Sequence, residues 1–279
     1  MKWICFLLIS ILVLGSFVSF SQDLTKQIDV NGLKREYIVH IPKNFDAKIK
    51  RPLVLIFHGG GGSAKRSFRF FGLNAVADTA GFLAVYPNGI DKGWNDGRKV
   101  RKHTQDDVGF IRQLIEQLNK DYLIDEKKIF ATGISNGGFF SFALGLQLSD
   151  QLRAIAPVCA TIPKDIYDQY NPAKPIGLLL INGTKDPLVP YDGGKVGGRW
   201  LNRGECVSTE KSIEKYLQLN HGSNQATKMI MPNPVVNDGC EATRFIYPCE
   251  LNNVQLIRHR RRRSHVARRQ AILRQKAYR

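Results

Sequence analysis

Gly133-Ile134-Ser135-Asn136-Gly137 sets a serine between two small residues, the spacing of a nucleophile on a sharp strand-to-helix turn. Such a turn lifts the hydroxyl clear of the sheet, and a helix beginning at Asn136 would offer free N–H groups to developing negative charge. The bland alternative is a Gly-rich strand-helix turn. His58-Gly59-Gly60-Gly61-Gly62-Ser63 is the second candidate. Its four glycines free the backbone to aim N–H groups at one point, so Gly59, Gly60 and the N–H of Asn136 are the expected oxyanion hole. A phosphate-cradling loop would need Gly-Lys-Ser/Thr at its end, which does not follow. His58 is expected to shape the loop. Asp186, in Asn182-Gly183-Thr184-Lys185-Asp186-Pro187, follows the serine in chain order, as a carboxylate that orients a histidine should. Its alternative role is to cap a turn with Pro187. The Asn182-Gly183-Thr184 glycosylation sequon is read as coincidental.

These residues need strands to carry them. Leu53–Phe57 is a continuous apolar run, and similar runs occupy 82–86, 128–132, 154–158 and 177–181. Each looks like a strand buried on both faces. Asp106 to Lys120 places Val108, Ile111, Leu114, Ile115 and Leu118 on one helical stripe, and Asn136 to Leu148 reads as a second helix. The alternation predicts an α/β fold, a mostly parallel doubly wound sheet with helices on both faces, and chemistry at the strand exits. No internal repeat is present.

The chain has 279 residues, 43% of them hydrophobic and 23% charged, which excludes a disordered tail or a fibrous repeat. Met1-Lys2, an apolar run from Trp3 to Phe20 and small residues at Ser19 and Ser21 read as a secretory signal peptide over residues 1–21. An uncleaved anchor is the alternative, since the run is near the ~18-residue spanning limit. Export makes the mature chain secreted or periplasmic, with no membrane association after cleavage. The formal charge of +17 is concentrated: residues 258–279 hold ten Lys and Arg and no acid, so the rest carries +7. A terminal run of this kind indicates a tail rather than a basic face, and no nucleic-acid partner is expected. Cys159, Cys206, Cys240 and Cys249 remain after the leader; Cys206 could pair with Cys240 or Cys249, and all three complete pairings stay open. Their spacing does not resemble a zinc site.

Taken together, HGGGGS, GWNDGR at 93–98, DDVGFI at 106–111, ATGISNGG at 131–138 and NGTKDPLVPYDGG at 182–194 resemble the secreted polyhydroxybutyrate depolymerase and feruloyl esterase family, over about residues 33–257. The resemblance implies an α/β-hydrolase serine esterase that needs no cofactor and no metal, with Ser135 as nucleophile and Asp186 as acid. Its substrates would be esters of polyhydroxyalkanoate or of feruloyl- or acetyl-decorated polysaccharide. Trp94 and the Asn95-Asp96 pair would hold loops. The expected division is a leader over 1–21, an esterase domain over 22–257 and an Arg-rich tail over 258–279. Loops between Lys195 and Cys249 would wall the cleft.

The resemblance breaks after the lead-in strand Val254–Arg258. The family carries its histidine in a segment resembling G-G-G-H-T-W-P-G, which would fall at position 264, and Ser264 stands there. Residues 262–271 can be encoded CGG CGG TCA CAC GTG GCC CGG CGG CAA GCA. Read one base later, those codons give GGHTWPGGK, so a single-base slip near Arg258 to Arg261 would account for the tail. His265, one residue away, is the candidate base; His40, His103 and His221 are expected to be structural. Without the closing helix that follows the histidine loop, apolar surface should be exposed. A catalytically dead binding protein using the same cleft is the second reading, and an anionic-polymer anchor in the tail the third.

Overall fold

The computed structural model describes residues 22–43, 45–100, 105–198, 201–233, 235 and 238–261. Strands β1 (Gln22–Val30) and β2 (Leu33–Ile41) form a hairpin across the two-residue Asn31-Gly32 turn, both residues with positive φ as a tight antiparallel turn requires. There follow β3 (Arg51–Phe57), α1 (Ala64–Phe70), α2 (Leu73–Ala80), β4 (Leu83–Pro87), α3 (Asp107–Tyr122), β5 (Ile124–Ile134), α4 (Asn136–Gln147) and β6 (Ala154–Val158). The chain continues through α5 (Lys164–Tyr167), β7 (Gly177–Gly183), β8 (Gly194–Lys195), β9 (Glu205–Cys206), α6 (Thr209–Leu219), β10 (Thr227–Ile230), β11 (Cys240–Tyr247) and β12 (Val254–Arg261).

Ten strands make one sheet in the order β1-β2-β4-β3-β5-β6-β7-β12-β11-β10. The six from β4 to β12 run parallel, and antiparallel pairs flank them on both sides. The expected mostly parallel sheet is therefore present. Side chains alternate between its faces. Leu53, Leu55 and Phe57 pack with Phe110, Leu114, Phe140 and Tyr216 of α3, α4 and α6, while Ile56, Ala84 and Tyr86 meet Ala64 and Ala77 of α1 and α2.

That second face is only partly covered. Beyond α1 and α2, the residues Phe130, Ala156, Leu179 and Ile181 of β5 to β7 floor an open groove of about 840 Å³, walled by Phe71, Leu73 and Val76. No helix among the described residues lies over it, and the tail on which the expectation of exposed apolar surface rests lies outside the described residues. The segment from Lys195 to Cys249 differs from the loops expected: it holds α6, β10 and β11, which extend the sheet and its cover. The amphipathic period of α6, with Ile213, Tyr216 and Leu217 buried, explains why it forms. β12 pairs with β7 as far as His259, opposite Gly183, and continues with β11 as far as Arg261, opposite Cys240.

All four described cysteines are unpaired. Cys206 is buried in an apolar cluster with Phe139, Ala160, Val189 and Val196, whereas Cys240 and Cys249 lie on and just beyond β11.

Candidate active site

Ser135 joins β5 to α4 with φ 54° and ψ −116°, a conformation that costs a non-glycine residue about 1–3 kcal/mol. Its surroundings hold it there. The Ser135 N–H donates to the Val158 carbonyl at 2.9 Å, and its own carbonyl accepts from the Phe139 N–H at 2.9 Å. The flanking glycines are required by backbone crowding: a Cβ at Gly133 would stand 2.6 Å from the Gly137 carbonyl and 2.8 Å from that of Phe57, and one at Gly137 would strike the Phe57 carbonyl. The strained elbow is thus a consequence of three backbone segments meeting at one point.

The glycine loop lies against this turn. A Cβ on Gly59 would be 3.8 Å from Ser135 Cβ and 3.3 Å from the Ile134 carbonyl. Gly61 and Gly62 spend their N–H groups inside the protein, on the carbonyls of Lys92 (2.7 Å) and Gly59 (2.9 Å). Among the described residues, no partner receives the N–H of Gly60. His58 shapes the loop, as expected. Its Nε2 accepts from the Gly89 N–H at 3.0 Å, which fixes the proton on Nδ1, and Nδ1 donates to the Gly59 carbonyl at 2.8 Å. Burial lowers its pKa below the ordinary value, so the ring is neutral and both nitrogens are occupied.

Asn136, directly after Ser135, is buried and fully engaged by the 93–98 loop. Its Oδ1 accepts from the Trp94 N–H (2.9 Å), and its Nδ2 donates to the Trp94 carbonyl (3.1 Å) and to Asp96 (2.5 Å). Trp94 is wholly buried, stacks on Phe140 at 5.0 Å and donates from Nε1 to the His58 carbonyl. Asp96 pairs with Arg98, whose guanidinium lies 4.0 Å over the Phe139 ring. Trp94 and Asp96 therefore hold loops, as their motif led us to expect.

Asp186 stands three residues beyond β7. Its Oδ1 accepts from the N–H groups of Leu188 (2.8 Å) and Val189 (3.0 Å), so it does cap the turn that follows. Strands β5, β6, β7 and β12 are parallel neighbours, and Ser135, Cys159 and Asp186 leave the first three at the same carboxyl edge. Cys159 was not foreseen as a neighbour of the site. It follows β6 with φ 50°, its N–H donates to the Ile181 carbonyl, and burial together with the nearby Asp186 carboxylate pushes its thiol up to about 11. Only its place just past an apolar strand hinted at this. Asn182 is 3% exposed and bonded through its side chain to Ala160 and Thr209, so its sequon is not available for glycosylation.

Four histidines are described. His40 bridges Asp23 and Asp78, and His221 faces Glu250 on the surface. Neither serves the site. His259, on β12 beside Gly183, lines with Asp186, Cys159 and Ile257 a cavity of about 440 Å³ at the carboxyl edge. His103, Ser264 and His265 lie outside the described residues. The Ser135 hydroxyl bonds to no described side chain, and no described group of three or more His, Cys, Asp or Glu could hold a metal. The Thr184 N–H donates to the His259 carbonyl at 2.9 Å, so this part of β12 lies beside the start of the Asp186 turn.

Comparison with known proteins shows the family. The profile described as Phospholipase/Carboxylesterase matches residues 45–232, from before β3 to beyond β10. The chain belongs to the phospholipase/carboxylesterase family. The chain is 30% identical over 208 residues to a "Probable feruloyl esterase C" of Aspergillus terreus, covering 72% of this chain and 70% of that one. It is 30% identical over 188 residues to feruloyl esterase C of Emericella nidulans, covering 65% of each. The esterase-named NocK of Nocardia uniformis subsp. tsuyamanensis is 34% identical over 172 residues, 60% of this chain but half of that one. The chain thus spans about half to 70% of the length of these three relatives. Among solved structures, acetyl xylan esterase from Aspergillus awamori superposes with a TM-score of 0.59 at 12% identity, over 84% of this chain and 92% of that one. A thermostable esterase gives 0.54 at 19%, over 71% and 52%. This phospholipase/carboxylesterase member has the α/β-hydrolase fold.

Proposed function

We propose that this family member is a secreted carboxylic ester hydrolase acting on polymer-borne esters, either the feruloyl or acetyl groups of a polysaccharide or the links of a polyhydroxyalkanoate. The observation that carries the proposal is the strained Ser135 elbow with the Gly59 backbone against it and Asp186 at the same sheet edge. Ser135 attacks the ester carbonyl, and the N–H groups of Gly59, Gly60 and Asn136 receive the negative charge of the tetrahedral intermediate. A histidine takes the serine proton and passes it to the leaving alcohol, and Asp186 orients that histidine. Water then releases the acyl group by the same steps. No cofactor enters. The relatives named feruloyl esterase support the substrate class, and the apolar leader supports export.

A second reading is favoured by the histidines: none of the four described hydrogen-bonds to Ser135, and His265 is one position from where the resemblance puts the base. Loss of a triad base lowers the rate by about 10⁴ to 10⁶, so this chain would be an impaired homologue that binds through the same cleft. Hydrolysis of p-nitrophenyl acetate by the chain, by Ser135→Ala, and by the chain with residues 262–270 replaced by GGHTWPGGK separates the two. Ser135-dependent turnover in the replaced chain supports the esterase. Rates that Ser135→Ala does not change in either background remove it.

A further inference from the structure

The helix after the glycine loop carries three cations that the fold does not use. Lys65, Arg66 and Arg69 of α1, with Ser63 and Phe70, line an open cavity of about 480 Å³ that holds no acidic side chain. Lys65 and Arg69 are four residues apart and Arg66 and Arg69 three, so all three cations share one face, an arrangement that destabilises a helix when no anion offsets it. Among the described residues none of the three has an ion-pair partner. Elsewhere the chain does pair its charges, as at Arg35–Asp107 and Arg98–Asp96. Beside them Phe70 is 72% exposed, far more than an aromatic ring of this size usually is.

The patch lies close to the proposed chemistry. Ser63 caps α1 through the Arg66 N–H and stands four positions after Gly59, on which a Cβ would lie 3.8 Å from Ser135 Cβ. Those four positions span at most about 14 Å. The turn carrying Asp91 and Lys92 borders the same loop, since the Lys92 carbonyl holds the Gly61 N–H. A polymer with its ester at Ser135 and its chain passing over the glycine loop would therefore meet Lys65, Arg66, Arg69 and Phe70.

We propose that these four residues form a subsite for carboxylate-bearing sugar units, so that the ester substrate is an acidic polysaccharide containing uronic acid. This rests on Ser135 being the esterase nucleophile. Arg66 and Arg69 would grip the carboxylates through paired N–H groups, Lys65 would add a point charge, and the Phe70 ring would lie against the apolar face of a sugar.

Affinity electrophoresis of the full chain in glucuronoxylan tests the proposal, with the same polymer after carboxyl reduction and with single-stranded DNA as comparisons. The expected result is retardation by glucuronoxylan that falls at least about tenfold on carboxyl reduction, and equally in the triple variant Lys65→Glu/Arg66→Glu/Arg69→Glu. It should also weaken as salt rises from about 0.05 to about 0.5 M, because exposed charges are screened over that range. Phe70→Ala, which leaves every charge in place, should weaken binding by about threefold. Equal retardation by the reduced polymer, no effect of the triple variant, or equally tight binding of single-stranded DNA overturns the subsite. Binding needs no turnover, so its failure is distinct from failure of the esterase reading. Uronate binding without Ser135-dependent hydrolysis in the GGHTWPGGK chain sinks the esterase alone, and the reverse result sinks the subsite alone.

Discussion

Asn136 and Trp94 exchange two hydrogen bonds, Trp94 N–H to Asn136 Oδ1 at 2.9 Å and Asn136 Nδ2 to the Trp94 carbonyl at 3.1 Å. Asn136, the residue after Ser135, thereby holds the GWNDGR loop on the start of α4, and its second Nδ2 hydrogen reaches buried Asp96. Asn136→Ala would leave a buried carboxylate short of a partner and the Trp94 N–H and carbonyl unpaired. We expect a loss of about 2–4 kcal/mol, read as a lower denaturant midpoint with an unchanged slope. Asn136→Asp should be at least as harmful, because it sets a second carboxylate against Asp96.

Gly137→Ala tests the packing of the elbow. Its methyl group would meet the Phe57 and His58 carbonyls, which belong to β3 and the glycine loop and cannot move independently. We expect a destabilisation above about 3 kcal/mol, or failure to accumulate as folded protein. Gly61→Ala meets no atom within 4 Å but sits at φ 77°, so it should cost only about 1 kcal/mol. Thermal midpoints of the two variants check the order.

The reading frame of the tail is open to direct test. If the codons for residues 262–271 give GGHTWPGGK one base later, the protein with that segment should hydrolyse p-nitrophenyl acetate at least about 10³-fold faster than the chain as it stands. It should also melt at a higher temperature if further frame-restored residues cover the groove over β5 to β7. Sequencing the DNA around codons 255–265 settles the premise, and a tail that does not restore the string rejects it.

Cys159 reports on Asp186. With its thiol held near 11, about one molecule in a thousand is thiolate at pH 8, and alkylation should be slow. Asp186→Asn removes the carboxylate that adds to the shift, so Cys159 should then react several-fold faster with iodoacetamide, measured by site-resolved mass spectrometry. An unchanged rate would separate the two side chains.

His58 gives the pH dependence a sign. Its folded pKa lies below the value of an unfolded histidine, about 6.5, so between the two the unfolded chain binds more protons. The stability it contributes is full above pH 6.5 and is lost as pH falls below it. The thermal midpoint of the wild type should therefore drop more between pH 7 and pH 5 than that of His58→Gln. Equal drops would mean the ring is not held neutral.

Much of the fold could be read from residue order. Apolar runs such as Leu53–Phe57 and Gly177–Ile181 specify strands buried on both faces, and the stripe from Val108 to Leu118 specifies α3, because burial periodicity is written locally. Ser135 and its glycines were legible for the same reason: a turn this tight leaves few residue types possible. The last two strands of the sheet, β10 and β11, were not, since Thr227–Ile230 is exposed throughout and gains its shape from pairing with Thr243–Ile246. Nor could spacing reveal that Cys159 faces Asp186, that Asn136 closes on Trp94, or that a face of β5 to β7 stands uncovered among the described residues. The sequence by itself determined the buried strands, the amphipathic α3 and which side chains are reactive by type. Tertiary structure alone decided which of them meet, because strand order and crossover direction bring together residues that lie tens of positions apart along the chain.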